Sequence, residues 1–300
     1  MWRPERPVEL IAGTPTGGGQ DRAARALVEA LDEAAGIPMS ISNVAGRGGG
    51  NAWDILETRP GDGHTLSISS PTLITNRVTG ESDLQVENLT PIAMLCAESI
   101  VFAVPATSRL ADVHDLIDAL ASDDKPTVSL ATARGNINHI ALAYLCRHVD
   151  LDPGEIEISV FDSAPKAIAD AVTGPHRVAA VSAASVVPGF TDGSLRPLGV
   201  SAPVRLGEPL AEVPTFTEAG IDCTIGVWRG VVGPPHLDPD VVSFWAGAIG
   251  AAVSATNWQR SLKRHVWSDA YMGPVETSTF LRSEDDRLTT ALRDFGLTSF

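Results

Sequence analysis

A short apolar run, Val8 to Ala12, leads straight into Gly13-Thr14-Pro15-Thr16-Gly17-Gly18-Gly19-Gln20-Asp21. The run has the length of a buried strand. Beyond the glycines, Ala23, Ala24, Leu27, Ala30, Leu31 and Ala34 recur at helical spacing, with Asp21 in the first turn. A strand, a glycine loop and a helix bring backbone N–H groups and the positive end of a helix dipole to one point, where an anion is favoured. Three consecutive glycines let that anion reach the main chain without a Cβ in the way. The plain alternative is a flexible strand-to-helix turn. No Gly-Lys-Ser/Thr closes the loop, and the Gly-x-Gly-x-x-Gly spacing fails at Arg22, so neither nucleotide-phosphate motif is met.

The same succession then repeats. A strand over 40–44 enters a second glycine loop, Ala45-Gly46-Arg47-Gly48-Gly49-Gly50-Asn51, and a helix over 52–58. A third strand over 66–70 ends in the hydroxyl-rich Ser69-Ser70-Pro71-Thr72. Residues 92–95 and 100–104 read as two further strands, with Val104-Pro105 as a crossover. A second series follows: helix 112–121, strand 127–131, the loop Thr132 to His139, helix 140–148, strand 156–161, the loop Asp162 to Pro165 and helix 166–172. Strands over 178–181 and 198–201 complete it, the first running into Ser182-Ala183-Ala184-Ser185. Helices over 239–253 and 276–295 should pack back on the first unit. Strands alternating with helices imply doubly wound sheets, whose ligands sit beyond the carboxyl ends of the strands. Every polar loop named so far lies at such an end.

Composition narrows the partners. With 300 residues and 44% hydrophobic content the chain can bury a sizeable core, and its length suggests two domains. A formal net charge of −15 opposes nucleic acid or an anionic membrane, though not a small anion in a cleft. Cys96, Cys146 and Cys223 are too few and too scattered for a disulfide framework, and no Cys-x-x-Cys offers a metal site. No apolar run approaches a membrane span. No His-Glu-x-x-His or Gly-x-Ser-x-Gly is present, and Cys146 and His148 on one helix diverge, so an enzyme finds little to work with.

The order of these blocks resembles the solute receptors of tripartite tricarboxylate transporters, the Bug-type extracytoplasmic binding proteins, over nearly the whole chain. The resemblance rests on Pro15 to Asp21 with its alanine-rich helix, and on Asn43 with Gly46 to Asn51. It continues through Pro60-Gly61-Asp62-Gly63-His64-Thr65-Leu66, Leu89-Thr90-Pro91-Ile92-Ala93, Gly135 to His139 and Phe161 to Pro165. Val213-Pro214-Thr215-Phe216-Thr217-Glu218-Ala219-Gly220, with Trp228-Arg229-Gly230 downstream, is the most telling block. It implies an α/β, two-lobed periplasmic-binding-protein fold of type II, each lobe a doubly wound sheet flanked by helices. Lobe I would comprise 1–100 and 226–300, lobe II 101–225, with a hinge near 100–104 and 223–232. The function implied is capture of a small carboxylate and its delivery to a membrane permease, by a monomer with no cofactor, no metal and no nucleic acid. Its compartment would be periplasmic, the export signal having been removed. The alternative is an enzyme acting on a small carboxylic acid with the same fold.

Family logic assigns ligand contacts to Thr16, Gly17, Gly18, Gly19 and Asp21 of the first loop, although Asp21 fits a helix-start residue offsetting the dipole better than a ligand contact. Ser70 and Thr72 follow the third strand, as carboxylate donors or turn caps. In lobe II the candidates are Arg134, Asn136, Asn138, His139, Ser163, Ala164 and Ser182, with Trp228 at the lobe crossover. Arg134 is the sharpest choice, since a guanidinium on a cleft loop grips a carboxylate in two places. Asn136 and Asn138 also suit a helix cap. Several positions depart from the family pattern: Ala133-Arg134, where glycine and a small residue are usual, Arg47 in the second glycine loop, and Ser182 and Ser185 near a common acidic position. Serines in place of that acid, with Arg134 added, favour a ligand without an ammonium group.

Overall fold

The computed structural model describes residues 2–174 and 176–298, so the outer limits of the expected lobe I, residues 1 and 300, fall outside it. From the N-terminus the elements run β1 (Val8–Ala12), α1 (Gly19–Ala35), β2 (Met39–Asn43), α2 (Gly50–Glu57), β3 (Thr65–Ser69), α3 (Thr72–Val78) and β4 (Thr90–Pro105). Next come α4 (Val113–Ala121), β5 (Thr127–Ala131), α5 (Ile137–His148), β6 (Ile158–Phe161), α6 (Ala164–Ala171), β7 (Arg177–Ser182), α7 (Ala183–Thr191) and β8 (Leu195–Val200). A long connection precedes β9 (Gly226–Gly233), α8 (Pro239–Val253), α9 (Thr256–Arg264), β10 (Ser268–Met272) and α10 (Pro274–Asp294).

The strands lie in the order β2-β1-β3-β9-β4-β7-β5-β6, with β10 and β8 also beside β4. Two parallel groups, β2-β1-β3 and β7-β5-β6, flank the antiparallel pair β9 and β4. Each group is a strand–loop–helix series of the kind the sequence repeats. The flanking helices cover the curled sheet, which gives the expected two-lobed α/β architecture.

One correction concerns β4. Residues 92–95 and 100–104 are not two strands but parts of a single 16-residue strand. At about 3.3 Å per residue it spans roughly 50 Å, enough to run through both halves. Thr90 to Ser99 pairs with β9, whereas Ile100 to Ala103 pairs with β7 and Val101 to Pro105 with β8, so the exchange of partners falls at Ser99/Ile100 rather than at Val104-Pro105. Glu98 and Ser99, between the two expected strands, continue a single strand, and Glu98 finds a buried partner on β9.

Three apolar clusters hold the layers. Leu10 and Ile68 of the sheet pack with Leu27 and Leu31 of α1 and with Trp245 and Trp258 of α8 and α9. The alanines of α1 keep the helix close to its neighbours, and Gly36 ends it at φ 60, the left-handed conformation that glycine reaches most easily. A second cluster joins Val101 and Val181 with Ala167, Val186 and Leu210. The third links Trp53, Phe102, Leu142, Phe216 and Leu288 on the face shared by both halves. Among the described residues, no helix is long and apolar enough to cross a membrane.

Candidate functional site

Five helices begin where strands end. α1, α3, α5, α6 and α7 start just beyond β1, β3, β5, β6 and β7. Their N-termini surround one cleft, lined from both halves by Gly18, Gly19, Gln20 and Ser70 on one side and by Thr132, Asn136, Asn138, Ser163 and Ser182 on the other. It encloses about 690 Å³ of non-atom space, solvent at the mouth included. Helix starts leave backbone N–H groups without intrahelical acceptors, and their dipoles favour negative charge.

The first glycine loop is held from inside. Asp21 is buried and accepts from the Gly17 amide at 2.8 Å, from Asn43 Nδ2 at 2.9 Å and from Arg25 at 2.9 Å through both Nε and Nη2. Burial alone would raise its pKa, but Arg25, the Gly17 amide and Asn43 together hold the carboxyl below its ordinary value. Gln20, equally buried, accepts from the Gly13 amide at 2.8 Å and donates to Gly48 O at 3.2 Å and Ser70 Oγ at 3.3 Å. Thr72 Oγ1 meets Ser70 Oγ at 2.7 Å and Gly48 O at 2.6 Å. One glutamine and two hydroxyls thus tie both glycine loops and the end of β3 together, so the two loops do face one site.

The main charges of the cleft are residues that sequence reading did not select. Arg22 on α1 and Arg229 on β9 both line it, and Glu98 on β4 lies fully buried beside them. Arg229 donates to Glu98 Oε1 through Nε at 3.2 Å and Nη2 at 3.1 Å. Arg22 Nη2 lies 4.0 Å from Glu98 Oε2, donates to Ser185 Oγ of α7 at 3.1 Å, and Nη1 donates to Gly17 O at 2.8 Å. Burial would push the Glu98 carboxyl up, but Arg229 first and then Arg22 bring it below its ordinary value. Burial likewise lowers Arg22, with Glu98 opposing. Two guanidinium groups against one carboxylate leave a single positive charge in excess. The remaining acid on the lining, Asp162, is neutralised by Lys166 at 2.7 Å.

Of the residues singled out from sequence, Gly18, Gly19, Ser70, Thr72, Asn136, Asn138, Ser163, Ala164 and Ser182 line the cleft. Six others fall outside the lining. Gly17 gives its amide to Asp21, which is itself buried as an organiser of the loop. Thr16 is exposed, its Oγ1 3.4 Å from Asn43 Oδ1. Arg134 is exposed and donates to Ile158 O at 3.4 Å. His139 is buried at the first turn of α5, its Nδ1 accepting the Gly135 amide at 3.0 Å. Trp228 is core, with Nε1 donating to Glu284 at 3.2 Å. Asn136 caps α5, its Oδ1 accepting from His139 N at 3.1 Å, and still lines the cleft.

Gly18 needs a further correction. Its amide does not face a ligand but closes a turn onto Pro15 O at 2.9 Å, and its φ is −71. A Cβ there would meet Thr14 Oγ1 at 2.5 Å, inside the loop rather than in the cleft. Gly19 lies directly against Arg229. A Cβ on it would lie 2.2 Å from Arg229 Nη2, the movable end of that side chain. Gly19→Val is therefore expected to fold while displacing the Arg229 guanidinium. Titration with the cognate acid should show affinity reduced by about tenfold or more, the scale of one charge-assisted hydrogen bond. Affinity within twofold of wild type would remove Arg229 from the binding argument.

A family model described as the tripartite tricarboxylate transporter family receptor (TctC) matches residues 23–297. The "UPF0065 protein in tcbD-tcbE intergenic region" of Pseudomonas sp. (strain P51) is 28% identical over 304 residues, covering 98% of this chain and 88% of its own. Rpa4515 of R. palustris, solved with adipate, superposes with a TM-score of 0.90 at 21% identity over 99% of each chain. MatC (Rpa3494) from Rhodopseudomonas palustris, solved with bound malate, gives 0.83 at 21% identity, covering 97% of this chain and 100% of its own.

Proposed function

Because the chain belongs to the tripartite tricarboxylate transporter receptor family, a family of solute-binding receptors and not of enzymes, we propose that it captures a small carboxylate between its lobes and delivers it to a membrane permease. The family places such a receptor outside the cytoplasm. The observation that carries the ligand class is the pairing of Arg22 and Arg229 with a single buried acid, Glu98, at a cleft ringed by helix starts. That arrangement has one uncompensated positive charge, and a carboxylate supplies its counterpart. Rpa4515 with adipate and MatC with malate lend support, since both ligands are small carboxylates.

The ligand carboxylate is held by Arg22 and Arg229 and by the first amides of α1, at Gly19 and Gln20. Thr72, Asn136, Ser163, Ala164 and Ser182 complete the cleft, and a metal or cofactor has no part in binding. Lobe I comprises 1–100 with 226–300 and lobe II 101–225. They close about the middle of β4 and the segment entering β9. The excess positive charge also disfavours an ammonium group.

A thermal-shift screen over mono-, di- and tricarboxylates, aromatic acids and amino acids tests this reading. A ligand at about 100 times its dissociation constant adds about 2.7 kcal/mol of stability. We expect acids without an ammonium group to give the largest shifts. Greater stabilisation by aspartate or glutamate than by every other acid would contradict the proposal.

A further inference from the structure

One hydrogen-bond path crosses the cleft through side chains alone. It starts at Arg22 of α1, on the β2-β1-β3 half, and reaches Ser185 and Ser182 at the start of α7, on the β7-β5-β6 half. Arg22 Nη1 donates to Gly17 O of its own loop at 2.8 Å, and Nη2 donates to Ser185 Oγ at 3.1 Å. Its Nε is buried with no hydrogen-bond partner. These two bonds, with the longer approach to Glu98 at 4.0 Å, therefore set the guanidinium plane. Ser185 Oγ in turn lies 3.1 Å from Ser182 Oγ. Ser182 is the N-cap of α7, where a serine hydroxyl ordinarily accepts from a backbone amide of the first turn, yet its side chain makes no cap bond. It serves Glu98 instead, whose carboxyl the Ser182 hydroxyl helps to hold below its ordinary value. Each hydroxyl has one proton to give. Ser185 accepts from Arg22 and so gives its own to Ser182, which gives to Glu98. The path runs in one direction from cation to buried anion, an arrangement in which successive hydrogen bonds polarise one another.

We propose that Ser185 is a positioning residue that reaches across the cleft to fix Arg22, so that the carboxylate centre is complete only when the two halves stand together. This rests on the carboxylate reading of the cleft. An arginine side chain has much rotamer freedom to lose, and a ligand that must order it binds more weakly. With Ser185 in place that ordering is done by the protein, and the remaining N–H groups of Arg22 keep one direction. With the halves apart, Arg22 keeps its bond to Gly17 O and loses the one that crosses. Affinity for a carboxylate is thereby tied to closure. The hydroxyl also matters for being neutral. An acid at position 185 would give Arg22 a full counter-ion, and two acids against two guanidinium groups leave no excess charge for a ligand.

Calorimetric titration with malate, succinate, adipate and benzoate tests this in wild type, Ser185→Ala, Ser185→Thr and Ser185→Asp. For the tightest of these acids, Ser185→Ala should lower affinity about tenfold, the scale of one charge-assisted hydrogen bond. Ser185→Thr keeps the hydroxyl and should stay within about threefold of wild type. In Ser185→Asp binding should fall about a hundredfold. Its melting temperature should nevertheless stay at or above that of wild type, because the new acid pairs with Arg22 from the first turn of a helix. A hydroxyl with a purely structural part would instead cost melting temperature and binding together. Added to Arg22→Met, Ser185→Ala should change affinity by less than about twofold, since both act on one interaction. Wild-type affinity in Ser185→Ala or Ser185→Asp, or an undiminished loss on the Arg22→Met background, would overturn the proposal and leave the carboxylate reading standing. Binding of none of these acids by wild type would end the carboxylate reading, and this proposal with it.

Discussion

Arg229→Met is expected to cost about 3–5 kcal/mol of stability, the range for removing one partner of a buried ion pair. Glu98 loses its two hydrogen bonds from Arg229, at 3.2 and 3.1 Å, and keeps the Ser182 hydroxyl and, at 4.0 Å, Arg22. Its side chain is completely buried, so water cannot substitute. For a chain of this size the melting temperature should fall by about 10 °C. Carboxylate binding should weaken by about a hundredfold or more, since the ligand then meets one guanidinium and one acid instead of two against one. The cause can be separated from lost packing. Adding Glu98→Gln to Arg229→Met removes the stranded charge, and most of the stability should return while binding does not. A single mutant that melts within about 2 °C of wild type would show that Arg229 is not the partner that keeps Glu98 in the core.

Acidification from pH 7 to 4 should destabilise the protein, with His139 a principal cause. Burial, and secondarily the charge on Arg134, push its pKa from 6.5 to about 4. Geometry agrees: Nδ1 accepts the Gly135 amide at 3.0 Å, and a protonated nitrogen cannot accept. Between those two values the unfolded chain binds a proton that the folded chain refuses, so stability rises with pH across the interval. The contribution is fully present above pH 6.5 and is lost as pH falls toward 4. Its size is on the order of 3 kcal/mol. His265, also lowered to about 4 by burial, acts in the same direction. Glu98, lowered by its arginines, adds a loss only at more acidic pH. Denaturant melts of wild type and His139→Asn, from pH 4 to 8, provide the measurement. The asparagine oxygen can accept from the Gly135 amide without titrating, so the variant should show a visibly shallower slope. Identical slopes would remove His139 as a source of acid sensitivity.

The parts of the fold that sequence revealed are those where a local pattern and the tertiary role coincide. β1, α1 and β5 carry short apolar runs or helical stripes that are buried as written, and Asn136 caps α5 as its residue type suggests. Glu98 and Ser99 interrupt the apolar run of β4, so its two apolar halves look like separate strands. Partners distant in sequence, Arg229 131 residues away first among them, make the interruption tolerable. β10 escaped notice because its Ser268 and Asp269 look like a loop, yet pairing with β4 makes them a strand. α7 carries Pro188 and has Ser182 at its N-cap, which hides its start.

The site divides the same way. Glycine loops and serine clusters announced where the cleft lies, because their chemistry is local. Its charge was hidden. Arg22 sits in the first turn of an amphipathic helix, where an arginine ordinarily belongs to the solvated face. Arg229 stood in a block of family-like sequence with nothing nearby to mark its partner. Arg134, chosen because it sits on a loop between a strand and a helix, turned outward. Loop position showed which segment borders the cleft, whereas side-chain direction depended on packing that spacing does not encode.

In the proposed function Arg22 and Arg229 form the carboxylate-binding centre. Calorimetric titration of wild type and Arg22→Met, with the acid that raises the melting temperature most, addresses it directly. Arg22 bridges Gly17 O on one side and Ser185 Oγ on the other, so its loss removes a ligand contact and a contact across the cleft together. Glu98 keeps its two bonds to Arg229, and folding should survive. We expect saturable one-to-one binding by wild type and affinity reduced about a hundredfold in Arg22→Met, the scale of charged hydrogen bonds at a buried site. Binding of that acid by folded Arg22→Met with wild-type affinity would mean that the arginine pair does not hold the carboxylate.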